Sequence, residues 1–243
     1  MLLKSLNKER GWRHLGKPSS GILKSLEMRA AKYHASLFAP EGAEALQYLT
    51  EERGLQEETL KRFALGAVTV ENADQADGDK VDYISIPYKS AYGITTGIRF
   101  RNLPGRFGPK YSAPPKQESG IYNVAEVTKG HDWMIITEGE LDALTLIQMG
   151  LPAVGIPGAN GFKQHYYTIF EGAERVIIIG DNDGSGDKQE PGKPPTGSAQ
   201  FIKKVSEAIE NPVVIMCPEG YDINGLYKEK GEAAVKELLR VKD

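Results

Sequence analysis

From Trp133 onward the sequence alternates short apolar runs with longer mixed segments, and one run, Arg175 to Ile179, is almost continuously β-branched. A strand of that composition is buried on both faces, which is the environment of a parallel sheet covered by helices. The same rhythm gives strands at Trp133 to Thr137, Ala153 to Ile156 and Val213 to Met216. Between and after them come helical patterns at Leu141 to Met149, Phe162 to Phe170, Ser198 to Glu210 and Glu232 to Leu239. Repeated strand–helix units predict an α/β fold with right-handed crossovers. With 243 residues, 40% hydrophobic and 26% charged, the chain has ample material for a buried core and is not of disordered composition.

Upstream the character differs. Residues 1–20 contain Gly11, Gly16, Pro18, Ser19 and Ser20, which break any regular pattern. Helical patterns follow at Leu23 to Phe38, Ala43 to Glu52 and Glu57 to Phe63. Val81 to Pro87 alternates as a strand, Gly93 to Phe100 is a candidate partner, and Arg101 to Ser119 is rich in Gly and Pro. The expected organisation is a basic tether or helix over 1–36, an α+β basic subdomain over 37–129, and an α/β domain with a C-terminal helix over 130–243.

The net charge of −3 conceals blocks of opposite sign. Residues 80–116 hold seven Lys and Arg against one Asp, whereas residues 117–243 hold twelve against twenty acids. A basic block of this density suits a polyanion, although solvated surface explains it equally well. No apolar run approaches the 20 or so residues that span a bilayer, and Met1 opens a basic segment with no apolar core, so no signal peptide is expected. A lone Cys217 excludes a disulfide framework or multi-Cys zinc site within the chain. A cytoplasmic, reducing compartment is expected.

Ligands of parallel sheets bind at the carboxyl ends of strands, and three of the four strand ends here are acidic. The first runs into Glu138-Gly139-Glu140-Leu141-Asp142, the third into Asp181-Asn182-Asp183, and the fourth leads to Asp222. Asp181 and Asp183 are two apart, so extended backbone projects both to one side. Crowded carboxylates raise one another's pKa, and a hard divalent cation such as Mg²⁺ or Mn²⁺ relieves the repulsion. Helix capping and tight turns explain any one such end, but not three together.

These residues resemble the Toprim domain of bacterial-type DnaG primases, phage primase-helicases, topoisomerases and small nucleases. The resemblance covers roughly residues 130–225. It implies an acid/base role for Glu138, metal binding by Asp181 and Asp183 with Glu138, and supporting or additional metal binding by Asp142 and Asp222. Tyr48-Leu49, Arg53-Gly54-Leu55 and Phe63-Ala64-Leu65-Gly66 resemble the start of a primase core. Gly97-Ile98-Arg99-Phe100-Arg101 and Pro109-Lys110-Tyr111-Ser112 resemble its basic subdomain, which implies template or nucleotide binding by Arg99, Arg101 and Lys110. The implied activity is metal-dependent synthesis of short RNA primers on single-stranded DNA from NTPs. A replicative helicase or a zinc-ribbon chain is then a candidate partner, and no membrane is expected. A metal-dependent nuclease and a non-catalytic factor that binds single-stranded DNA remain open alternatives.

Other motifs carry less. Gly192-Lys193 lacks the spacing of a phosphate loop. His14, His34, His131 and His165 are scattered, and Pro157 to Gly161 reads as a turn whose N–H groups could face phosphate.

Overall fold

The computed structural model describes residues 19–71, 80–106, 108–114, 117, 120–184 and 197–241. The first half (residues 1–18) of the expected tether or helix, and residues 185–196 of the Gly/Pro/Lys-rich stretch before Ala199, lie outside the described residues.

Helix α1, Ser20–Leu37, starts where the Ser19 hydroxyl accepts the Ile22 N–H at 3.3 Å, an N-cap that stops the first turn fraying. Its Leu26 and Ala30 pack with Ile98, Tyr33 and Phe100, so residues 20–36 are a helix laid on a sheet. That sheet is an antiparallel meander of β1 (Gly66–Glu71), β2 (Lys80–Lys89), β3 (Thr95–Asn102) and β4 (Tyr111–Ser112), in that order. Its register sets Ile86 opposite Arg99 and Ile84 opposite Arg101, which carries both arginines on β3. Between α1 and β1 lie α2 (Ala43–Gln47), which continues as a π turn over Tyr48–Glu52, and α3 (Glu57–Arg62).

The second sheet is parallel, as the β-branched run requires, with order β6-β5-β7-β8. Its strands are β5 (Trp133–Thr137), β6 (Ala153–Gly155), β7 (Arg175–Gly180) and β8 (Val213–Met216). Helix α4 (Glu140–Gln148) joins β5 to β6. After β6 come α5 (Gly158–Gly161), α6 (Gly197–Ser206) following β7, and α7 (Ile223–Leu239) following β8. Alternation along the strands divides the interior. Ile135, Ile177 and Ile179 face one core, and Met134, Ile136, Val176 and Ile178 the other.

The first of these cores is shared by both sheets. Leu37, Leu49, Leu60, Ile84 and Ile86 from the N-terminal half pack in one cluster with Leu141, Leu144, Leu226, Val235 and Leu239. Helix α4 sits between the halves, and all positions from Glu140 to Ile147 are buried. A helix buried on every side has no solvent face for polar residues, so Glu140 and Asp142 in its first turn need partners.

Three expected elements differ. β1 was not anticipated, because Phe63 to Gly66 reads as the end of a helix while Ala67 to Val70 is too short to declare a strand alone. The helix expected at Phe162 to Phe170 is a 3-10 segment over Gln164–Ile169. The last helix begins nine residues earlier than expected, at Ile223 rather than Glu232, and kinks at Gly231, whose φ of 81° favours glycine. Among the described residues no helix is long and apolar enough to cross a membrane.

Candidate active site

The carboxyl ends of β5, β7 and β8 open into a cavity of about 510 Å³ between the two sheets. All eight residues singled out in the sequence line it: Glu138, Asp142, Asp181, Asp183 and Asp222 from the parallel sheet, and Arg99, Arg101 and Lys110 from the antiparallel one. Arg53, Tyr111 and Glu140 line it as well.

Local hydrogen bonds fix the acidic loops. After β5 the Thr137 hydroxyl donates to the Gly139 carbonyl at 2.9 Å, and Gly158 N–H donates to the Glu138 carbonyl at 3.2 Å. Gly139 is required by space, since a Cβ there would stand 2.6 Å from Asp142 Oδ2. After β7, Asn182 N–H donates to the Tyr221 carbonyl at 2.9 Å and the Asn182 carbonyl accepts Gly220 N–H at 2.8 Å, which ties the Asp181–Asp183 loop to the segment carrying Asp222. Asp222 accepts Gly225 N–H at 2.6 Å as the N-cap of α7. It is therefore both a helix cap and a member of the acidic group.

The electrostatic consequence is a crowd of carboxyl groups that resist ionising together. Burial, together with Asp142, Glu138, Asp222 and Asp183, pushes the Asp181 carboxyl up to about 9. Burial and Asp222 push Asp142 up to about 7, against the opposing effect of the Asn224 N–H that it accepts at 3.0 Å. Burial beside these acids also raises the Cys217 thiol, leaving it protonated. Such shifts mark a site that gains when a cation arrives. The donors are all oxygen, the chemistry that hard divalent ions prefer. Among the described residues no group of three or more Asp, Glu, His or Cys side chains is arranged to hold a metal ion.

The opposite wall is a row of guanidinium groups braced by tyrosines. Arg99 donates to Glu140 Oε1 at 2.7 Å, and its guanidinium lies 4.1 Å from the centre of the Tyr111 ring. Arg101 donates to the Tyr111 hydroxyl and, through Nη2, to the Tyr48 hydroxyl at 2.9 Å. Arg53 Nε donates to the same Tyr48 hydroxyl at 2.7 Å, and its Nη1 reaches Asn224 Oδ1 at 3.2 Å. Arg101 lines the cavity yet is only 6% exposed, so its fork is largely occupied by the two tyrosines. Lys110 is exposed at the rim.

Sequence reading assigned no role to Arg53, Glu140, Tyr48, Tyr111 or Asn224. Arg53 and Tyr111 stood within the quoted motifs, and Asn224 lies two residues after Asp222, but their partners are remote in sequence. Arg53 and Asn224 are 171 residues apart.

No family model matches the chain. The Gene 57 protein of Mycobacterium phage D29 is 38% identical over 143 residues, covering 58% of this chain and 85% of that protein. The DNA primase of Aquifex aeolicus is 27% identical over 165 residues, covering 64% of this chain and 32% of the primase. The RNA polymerase domain of Mycobacterium tuberculosis primase DnaG superposes with a TM-score of 0.70 at 19% identity, over 92% of this chain and 84% of that one. The chain belongs to one family with that Gene 57 protein, and its fold is that of DnaG primase catalytic cores. The primase fragment of bacteriophage T7 primase-helicase is also similar in fold, with a TM-score of 0.57 at 19% identity over 77% of this chain and 72% of that one. The chain spans about a third of the length of the curated bacterial DNA primases it matches.

Proposed function

We propose that the chain is the catalytic core of a DNA primase, a nucleotidyltransferase that joins NTPs into short RNA primers on single-stranded DNA. The observation that carries this reading is the cavity lined by six carboxylates from the parallel-sheet half and four basic side chains from the other. A nucleoside triphosphate and a nucleic-acid backbone need both walls. Cations must offset the phosphates, and carboxylates must hold a divalent ion and accept a proton.

Glu138, Asp181 and Asp183 would hold Mg²⁺ or Mn²⁺, with Asp142 and Asp222 as supporting or additional ligands. That ion would neutralise the triphosphate and the charge developing on the pyrophosphate that leaves. Glu138 lies at the cavity, where it would take the proton from the attacking 3′-hydroxyl. Arg99, Arg101 and Lys110 would bind template or triphosphate, and Arg53 joins them from the helical segment. The expected division into a tether or helix (1–36), a basic subdomain (37–129) and a Toprim domain (130–243) then describes which part supplies which wall. A replicative helicase or a zinc-ribbon chain is a candidate partner, and the cytoplasm the working compartment.

Incubation with single-stranded DNA, labelled NTPs and Mg²⁺ or Mn²⁺ tests the proposal. New oligonucleotides that disappear in Glu138→Gln are expected. Degraded template would point to a nuclease, and binding without either product to an accessory factor.

A further inference from the structure

Glu140 stands two residues after the proposed base and two before Asp142, yet its environment differs from both. Its side chain is fully buried, and its Oε1 accepts the Tyr88 hydroxyl at 2.6 Å and Arg99 Nη1 at 2.7 Å. The partners lie on β2 and β3, so this carboxylate joins the first turn of α4 to the antiparallel sheet. From Arg99 the contacts run without a gap through Tyr111, Arg101, Tyr48 and Arg53 to Asn224, whose backbone N–H returns to Asp142. The guanidinium row is thus strung between two anchors on a single helical turn. Asn224 is 1% exposed and also bonds Thr145 at 2.9 Å, which makes that anchor rigid. Glu140 is the other anchor.

We infer that Glu140 is a positioning residue for the basic wall: it holds Arg99 flat against Tyr111 so that this guanidinium meets phosphate already in place. This rests on the primase reading of the cavity and deepens it. The two glutamates of Glu138-Gly139-Glu140 then divide the work. Glu138 serves the reacting atoms, whereas Glu140 serves affinity and touches no substrate. A carboxylate that clamps a guanidinium also spares the phosphate ligand the entropy of ordering a long side chain. Arg99 is 19% exposed in its side chain, so ordering it elsewhere would take it out of the cavity wall.

The test separates binding from turnover. Binding of inorganic triphosphate with Mg²⁺ is measured by calorimetry on the full chain, with Arg99→Gln, Glu140→Gln and the double variant beside it. Loss of one charge-assisted contact predicts that Glu140→Gln weakens triphosphate binding about tenfold. The double variant should be no worse than Arg99→Gln alone, because both remove the same arrangement. In primer synthesis Glu140→Gln should raise KM for NTP by a similar factor with kcat within about twofold, whereas Glu138→Gln should lower kcat. Losses that simply add, unchanged triphosphate affinity, or a fall in kcat alone would overturn the inference. Should Glu140→Gln not fold, Arg99→Lys carries the test. It keeps a cation within reach of Glu140 but lacks the planar group that stacks on Tyr111, and it should weaken triphosphate binding by an intermediate factor. Triphosphate affinity that responds in this way without any primer product would leave the inference standing and defeat the proposed activity. Primers with no such response would do the reverse.

Discussion

Replacing Asp181 by Asn should make the metal-free protein more stable, although the residue is proposed to be essential. The reason lies in the fold's own repulsion. Buried beside four other acids, the Asp181 carboxyl is pushed up to about 9, whereas in an unfolded chain it titrates near 3.9. An acid whose pKa rises on folding must take up a proton to fold at any pH between those values, so stability falls as pH rises through that window. Each pH unit costs about 1.4 kcal/mol, so the ceiling between pH 5 and pH 8 is about 4 kcal/mol. Asp181 shares its titration with Asp142 and is partly open to water, which reduces the expected effect to about 2 kcal/mol. For a chain of this length that corresponds to roughly 4–8 °C in Tm. Thermal unfolding with a chelator at pH 5, 6.5 and 8 is the assay. Wild type should lose stability toward pH 8, the Asn variant should stay nearly level, and Mn²⁺ should raise the Tm of wild type far more than that of the variant. A variant less stable than wild type at pH 8 without metal, or one with the same pH profile, would refute the reasoning.

Three further outcomes follow from the site. Gly139→Ala places a methyl 2.6 Å from Asp142 Oδ2, and displacing that carboxylate should weaken Mn²⁺ binding in calorimetry by about tenfold. Lys110→Ala removes an exposed cation at the cavity rim and should flatten the salt dependence of single-stranded DNA binding by about 0.7 in log–log slope, read by fluorescence anisotropy. Arg101→Ala strips a buried guanidinium from two tyrosine hydroxyls and should destabilise the fold by about 3 kcal/mol in urea unfolding, so its effect on DNA binding must be read against that loss.

The parallel sheet was legible because its strands are short, almost wholly apolar and separated by mixed segments long enough to cross over. The acidic strand ends were legible because parallel topology fixes where strands finish, and three acidic ends arriving together need no knowledge of contacts. The basic wall was legible only as composition. Sequence marked Arg99 and Arg101 as cations but could not tell that Arg101 is spent on Tyr48 and Tyr111, since those hydroxyls come from a π turn and a two-residue strand. Glu140 was overshadowed by Glu138 because both follow the same strand, and only the hydrogen bonds from Tyr88 on β2 and Arg99 on β3 mark it as a buried clamp. Asp222 illustrates overlap: the capping role and the acidic-site role weighed against each other in sequence coexist in one side chain.

The core that both sheets share also has a consequence for synthesis. Leu37, Leu49 and Leu60 emerge from the ribosome early, but Leu226, Val235 and Leu239, which pack in the same cluster, come at the far end of the described chain. At 5–20 residues per second the early helices wait on the order of ten seconds for those partners. Throughout that interval the nascent N-terminal half carries an apolar face with nothing to cover it. Its solubility then depends on the surrounding charges of α1 and α3 and on whatever chaperone reaches it first.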